Sequence, residues 1–166
     1  MRLCLLQTMI AMLLSAWCGD AAMAETRLYW SSHTEGVVGS VKLDGNDIQV
    51  FSVAGQDRIF DVAVDPDSET MFMANGYLSS TQRIASANLD GSDAQQIKGV
   101  GGRGPVGLAV DSNQQHVYFT VRQTGLFRID FDGSQSTKLL SSGNISSVAL
   151  APQFAEGKLF YTEWGD

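Results

Sequence analysis

The residues of this chain that could do chemistry are two histidines, a scatter of carboxylates and serines, and one glycine-rich run. Their spacing supports little of that chemistry. His33 and His116 stand far apart, with no Cys or second His at the intervals a zinc site uses. Each reads as a lone surface histidine. Serines are plentiful, but Gly-x-Ser-x-Gly does not occur, so nothing marks a nucleophile elbow. Gly99-Val100-Gly101-Gly102-Arg103-Gly104 has enough glycine to wrap a phosphate. It lacks the Lys-Ser/Thr of a phosphate loop, and no helical stretch follows to offer its N-terminus, so it reads as a flexible connection. Asp44-Gly45-Asn46-Asp47 and Asp90-Gly91-Ser92-Asp93 begin like calcium loops. They lack the later ligands and the closing Glu, and read as turns. Asn144-Ile145-Ser146 is a formal glycosylation acceptor. No cofactor and no metal is expected.

The bulk numbers narrow the classes further. The chain has 166 residues, 44% of them apolar and 17% charged, an ordinary globular composition. A formal charge of -7 does not suit a phosphate backbone, whose binding rests on Lys and Arg displacing counterions, so no nucleic-acid partner is expected. Arg2, the apolar run Leu3 to Trp17 and the small-x-small site Ala22-Met23-Ala24 form the pattern of a cleaved secretory signal over 1–24. No membrane span is expected after its removal, and the localisation is secreted or periplasmic. A lipoprotein signal at Cys18 is disfavoured by the bulky Trp17 before it. Cys4 and Cys18 both lie in that leader. The mature chain would then hold no disulfide in a compartment that permits them, and packing alone must stabilise it.

The elements that must carry these residues repeat. Leu28-Tyr29-Trp30 returns as Met71-Phe72-Met73, Val117-Tyr118-Phe119 and Leu159-Phe160-Tyr161, at intervals of 43, 46 and 42 residues. Leu43-Asp44-Gly45, Leu89-Asp90-Gly91 and Phe131-Asp132-Gly133 keep the same period. So do Val62-Ala63-Val64-Asp65, Leu108-Ala109-Val110-Asp111 and the weaker Val148-Ala149-Leu150-Ala151. Turn signals fall between short apolar runs such as Ile59 to Val64, Thr70 to Ala74, Arg83 to Leu89 and Ala94 to Lys98. Four short strands in a period of about 40–45 residues is the spacing of a propeller blade. Runs such as Val62-Ala63-Val64 are apolar on both faces, as strands covered from both sides must be. Arg83 to Leu89 and Gly125 to Phe131 look more polar and belong further out. The predicted fold class is all-β: a β-propeller of four-stranded blades, with about three repeats present of an expected six. Residues 25–166 divide into units near 25–57, 58–104, 105–143 and an incomplete 144–166.

The order Gly107-Leu108-Ala109-Val110-Asp111, Val117-Tyr118-Phe119-Thr120, Leu126-Phe127-Arg128 and Phe131-Asp132-Gly133-Ser134 resembles the YWTD, or LDL-receptor class B, repeat of six-bladed TolB-like propellers. The resemblance covers essentially all of 25–166. It implies a ring of six repeats that recognises other proteins outside the cell, often on one rim. The name-giving tetrapeptide stands here as Tyr29-Trp30-Ser31-Ser32, Phe72-Met73-Ala74-Asn75, Tyr118-Phe119-Thr120-Val121 and Phe160-Tyr161-Thr162-Glu163. Its final Asp is absent throughout, which implies looser hydrogen bonding between repeats. The repeats begin at a second strand and end past the second strand of the fourth unit. The expectation is a truncated piece of a longer ring; the rival is a half-ring closing as a homodimer.

Two kinds of loop would share one rim: those after second strands and those joining blades. This rim carries the candidate binding residues His33, Arg58, Tyr77, Arg103, Arg122 and Trp164, of types that dominate interface energetics. The expected function is an exported, non-catalytic recognition module for a protein or other extracytoplasmic ligand, with no catalytic residues. The alternative is a fragment of a propeller hydrolase of lactonase or esterase type with an axial metal. That enzyme needs carboxylates or amides converging on the axis. The equivalent positions nearest the axis are Asp61, Gly107 and Ser147, one acid rather than a cluster.

Overall fold

The computed structural model describes residues 26–76, 82–151 and 157–164. The expected leader and Tyr77 lie outside the described residues. Every regular element among those residues is a β-strand. Unit 1 holds β1 (Arg27–Ser32), β2 (Val37–Lys42) and β3 (Gln49–Ser52). Unit 2 holds β4 (Ile59–Asp65), β5 (Thr70–Asn75), β6 (Arg83–Asn88) and β7 (Gln95–Gly99). Unit 3 repeats this with β8 (Pro105–Asp111), β9 (His116–Val121), β10 (Gly125–Asp130) and β11 (Thr137–Leu140). Unit 4 holds β12 (Ile145–Ala151) and β13 (Lys158–Glu163). Each unit is an antiparallel meander whose neighbours in sequence are neighbours in the sheet.

Local chemistry sets the turns. In each Asp-Gly hairpin the aspartate carboxylate accepts the N–H two residues on: Asn46 to Asp44 and Ser92 to Asp90 at 2.9 Å, Ser134 to Asp132 at 2.8 Å. The glycine takes φ of 83°, 85° and 86° at Gly45, Gly91 and Gly133, where a side chain would be strained. Hydrogen bonding from Ser92 and Ser134 also holds the Asp90 and Asp132 carboxyls below the ordinary range. These bonds and glycine conformations are those of tight hairpin turns.

The first strand of units 2, 3 and 4 carries a register shift at one equivalent place, between Ile59 and Asp61, Pro105 and Gly107, and Ile145 and Ser147. The extra residue is Phe60, Val106 or Ser146. Such a bulge bends a strand and raises its twist, so a repeated bulge gives every unit the same entry geometry.

The core lies in the seams between units. Tyr29, Val38, Phe51 and Val53 of unit 1 pack with Ile59, Met71, Met73, Ala85 and Ala87 of unit 2. Phe72, Ala74 and Ile84 of unit 2 meet Leu108, Val117, Phe119, Val121 and Ile129 of unit 3. Ala109, Tyr118 and Leu126 of unit 3 meet Ile145, Val148 and Leu159 of unit 4. The third strands are more buried than their polarity suggests: Ile84, Ala85, Leu126 and Ile129 are all in the core. A sheet covered on both faces buries its third strand whatever the intervening polar residues do. In the two four-stranded units exposure rises at the outermost strands β7 and β11.

Tyr29, Phe72, Tyr118 and Phe160 share one register, each centrally placed on a second strand. The first three lie in seams, whereas Phe160 is 54% exposed. At the opposite face of the arc Leu28, Trp30 and Val50 are exposed, with the Trp30 ring lying across Gly39.

Candidate functional site

Strand direction places two sets of connections at one edge of the sheets. The second strand of each unit runs toward the edge from which its first strand departs. Loops 33–36 and 122–124 therefore lie beside connections 53–58, 100–104 and 141–144. Hydrogen bonds close this edge: Gly76 N–H to Arg58 O at 3.3 Å, Val100 N–H to Gln82 O and Trp164 N–H to Asn144 O at 2.9 Å.

The candidate residues fall into separate groups along it. His33 is exposed and stacks obliquely on the bulged Phe60, ring centroids 4.2 Å apart. Arg58, also exposed, sits at φ 50° immediately before β4. Arg103 projects from the glycine-rich connection. The Arg122 guanidinium lies 5.7 Å from the centre of the Trp164 ring, which is 63% exposed. Such a pair holds a cation and an aromatic plane ready at a surface. His116 is not the lone surface histidine its sequence context suggests. It lies at the opposite edge, its Nε2 3.3 Å from Asp130 and its buried Nδ1 without a partner among the described residues.

The last position of the four-residue motif binds a connection. Asn75, fully buried, donates from Nδ2 to Asp57 O at 2.5 Å, and Glu163 accepts from Ser142 Oγ at 2.5 Å. Each ties its own second strand to the connection preceding its unit. Arg83 adds bonds to Gly55 O and, at 3.1 Å, to Gln56 Oε1. In unit 3 the paired equivalents of Asn75 and Arg83 are Val121 and Gly125, which can do neither.

No protein-family model matches the chain. A chain of the nidogen/laminin complex superposes with a TM-score of 0.71 at 16% identity, over 83% of this chain and 51% of that one. A gluconolactonase from Xanthomonas campestris gives 0.60 at 23% identity, over 76% and 41%. A structural-genomics protein of unknown function from Bacteroides thetaiotaomicron gives 0.50 at 17%, over 87% and 41%. The chain thus spans about half the length, or less, of these solved chains. What they share with it is the fold.

The chain is an arc of a β-propeller. Its units are blades, and β4, β8 and β12 are their innermost strands. On β4 the Asp61 carboxylate bridges two blades: Oδ1 accepts the Val62 N–H at 2.9 Å and Oδ2 the Leu108 N–H at 2.8 Å. Gly107 occupies the same place on β8 because a side chain there would meet Ser146 and Ser147 of the next blade and Thr120 of its own. Burial pushes the Asp61 pKa up, and the N–H groups of Leu108 and Val62 offset only part of that. Asp65, at the other end of β4, shows the opposite balance. Burial also opposes its ionisation, but hydrogen bonds led by Ser112 and Ser68 hold it below the ordinary range.

A raised folded pKa means the folded state keeps a proton that the unfolded chain has lost. Asp61 therefore contributes a loss of stability as pH rises from the ordinary carboxylate range through its folded pKa. Asp61→Asn removes that titration while breaking one of the two bonds. The cost of the substitution, measured by urea unfolding, is expected to be smaller near pH 7 than near pH 4. Equal costs at both would show that Asp61 titrates as it does in the unfolded chain.

Proposed function

We propose that the chain is an exported YWTD-type propeller module that recognises a protein through the rim bearing His33, Arg58, Tyr77, Arg103, Arg122 and Trp164. The observation that carries the reading is the Arg122–Trp164 pair, an exposed aromatic with a cation over it at the blade 3–4 seam. Arg and Trp are the side chains that most often dominate binding when desolvated by a partner. The repeat motifs and the fold-level likeness to a chain of a protein–protein complex, nidogen with laminin, point the same way.

The hydrolase reading draws on the likeness to a gluconolactonase. In these blades the axial positions Asp61, Gly107 and Ser147 offer one carboxylate, which joins blades 2 and 3 through the N–H groups of Val62 and Leu108.

A photo-crosslinking residue at Arg103, and another at Leu43 on the opposite edge, test the rim. Exposed to the extracytoplasmic proteins of the cells that make the chain, the Arg103 position is expected to capture a discrete partner and the Leu43 position none. Arg122→Ala with Trp164→Ala should weaken that partner about ten-fold or more. Capture only at Leu43, or unchanged affinity in the double variant, would overturn the rim assignment.

A further inference from the structure

A groove of about 290 Å³ opens at the seam of blades 2 and 3, lined by Lys98, Gly99 to Gly102, Phe119, Val121, Thr124, Phe127 and Ser136. Its origin is the substitution pattern at the last motif position. In the blade 1–2 seam, Asn75 and Arg83 fasten the preceding connection, and the Arg83 guanidinium fills the space beneath it. In the blade 2–3 seam, Val121 and Gly125 stand in their places, so among the described residues no equivalent side chain plugs the gap. Two aromatic rings line it: Phe119 and Phe127 stack at 5.3 Å with an interplanar angle of 14°.

The charge of this groove runs against that of the chain. The chain carries -7, yet Lys98 lines the groove, Lys138 sits 5.6 Å from the Phe127 ring centre and Arg103 extends the glycine-rich edge. None of the residues lining it is acidic. The Lys98 ammonium makes no ion pair and no hydrogen bond among the described residues. Thr124 and Ser136 add hydroxyl donors at the walls. A guanidinium like that of Arg83 would be repelled by these cations, whereas a carboxylate would meet an ammonium that no described acid pairs.

We infer that this seam is a binding site for a small amphiphilic monocarboxylate, its apolar part against Phe119, Phe127 and Val121 and its carboxylate toward Lys98. A hydrophobic floor with a few convergent polar groups is how small-ligand sites are built, and this volume lies near the lower end of their range. Charge-assisted hydrogen bonds to an ammonium supply the preference for the anion.

Phenylbutyrate and its neutral amide, phenylbutyramide, titrated separately into the full chain, test the assignment through the backbone amide shifts of Gly99, Gly101, Gly102 and Thr124. The carboxylate is expected to saturate these shifts, with the amide about five-fold weaker or more. Lys98→Gln should bring the two probes to equal affinity, while Lys42→Gln on blade 1 leaves the preference intact. Absence of saturable shifts at the groove overturns the proposal, as does equal affinity of the probes in the unaltered chain. Saturation of the same amides by butylguanidinium in preference to phenylbutyrate would replace it with a site that mimics Arg83.

Discussion

Phe72→Ala is expected to destabilise the chain by about 3–5 kcal/mol, the range for removing a fully packed aromatic. Phe72 is 1% exposed, sits in the cluster shared by blades 2 and 3, and has the Phe131 ring 4.6 Å away. Ala74 and Ala63 of blade 2 belong to the same cluster and are too small to fill the space the ring would leave. The consequence goes beyond the midpoint of unfolding. Each blade touches only its neighbours in the arc, so stability is approximately a sum of blade and seam terms. Weakening this seam uncouples blades 1–2 from blades 3–4. The urea transition should both shift and broaden, with a lower apparent slope. A shift at unchanged slope would mean that the remaining contacts, Asp61 to Leu108 among them, still hold the two halves as one cooperative unit.

Gly125→Ala is the second large effect, expected at about 2–4 kcal/mol. Its φ of 141° belongs to glycine, and a methyl there would run into the Leu140 carbonyl oxygen. Backbone strain of about 1–3 kcal/mol combines with overpacking of similar size. The collision is with backbone, so no side chain can turn aside to relieve it. Gly101→Ala in the neighbouring connection is the control, because its added carbon meets nothing within 4 Å. It should change stability by less than about 0.5 kcal/mol. If both variants melt alike, the close approach of β10 and β11 does not constrain the fold.

The repeat architecture is legible because it is periodic. Alternating turn and apolar run mark β4 to β7 nearly to the residue, and the Asp-Gly pairs announce their hairpins through backbone chemistry that acts within four residues. What depends on the next blade is not legible in the same way. The bulges at Phe60, Val106 and Ser146 are defined by the strand they pair with, not by their own side chains. In sequence Asp61 is a lone axial acid; that it also joins two blades shows only when Leu108, 47 residues away, is seen donating to it. His116 looks solitary until the pairing of β9 with β10 brings Asp130 beside it. Of the rim candidates, Arg122 and Trp164 come together although four strands, β10 to β13, separate them in sequence, whereas His33 and Arg58 lie toward the other end of the arc. The groove residues Lys98, Phe119 and Phe127 carry no local signal. Their signal is a difference between aligned repeats, Asn75 and Arg83 against Val121 and Gly125, which becomes readable once each position has a known duty.

The aromatic register of Tyr29, Phe72, Tyr118 and Phe160 has a geometric corollary. A joint that presents nearly the same shape each time sets the angle between two neighbours and holds no record of how many neighbours there are. Circumference is then a matter of accumulated rotation: the ring is one of the side chains that fill each wedge, and wedges add. Exchanging Phe for Tyr or a smaller residue at this register alters that wedge slightly, and the alteration multiplies around the axis.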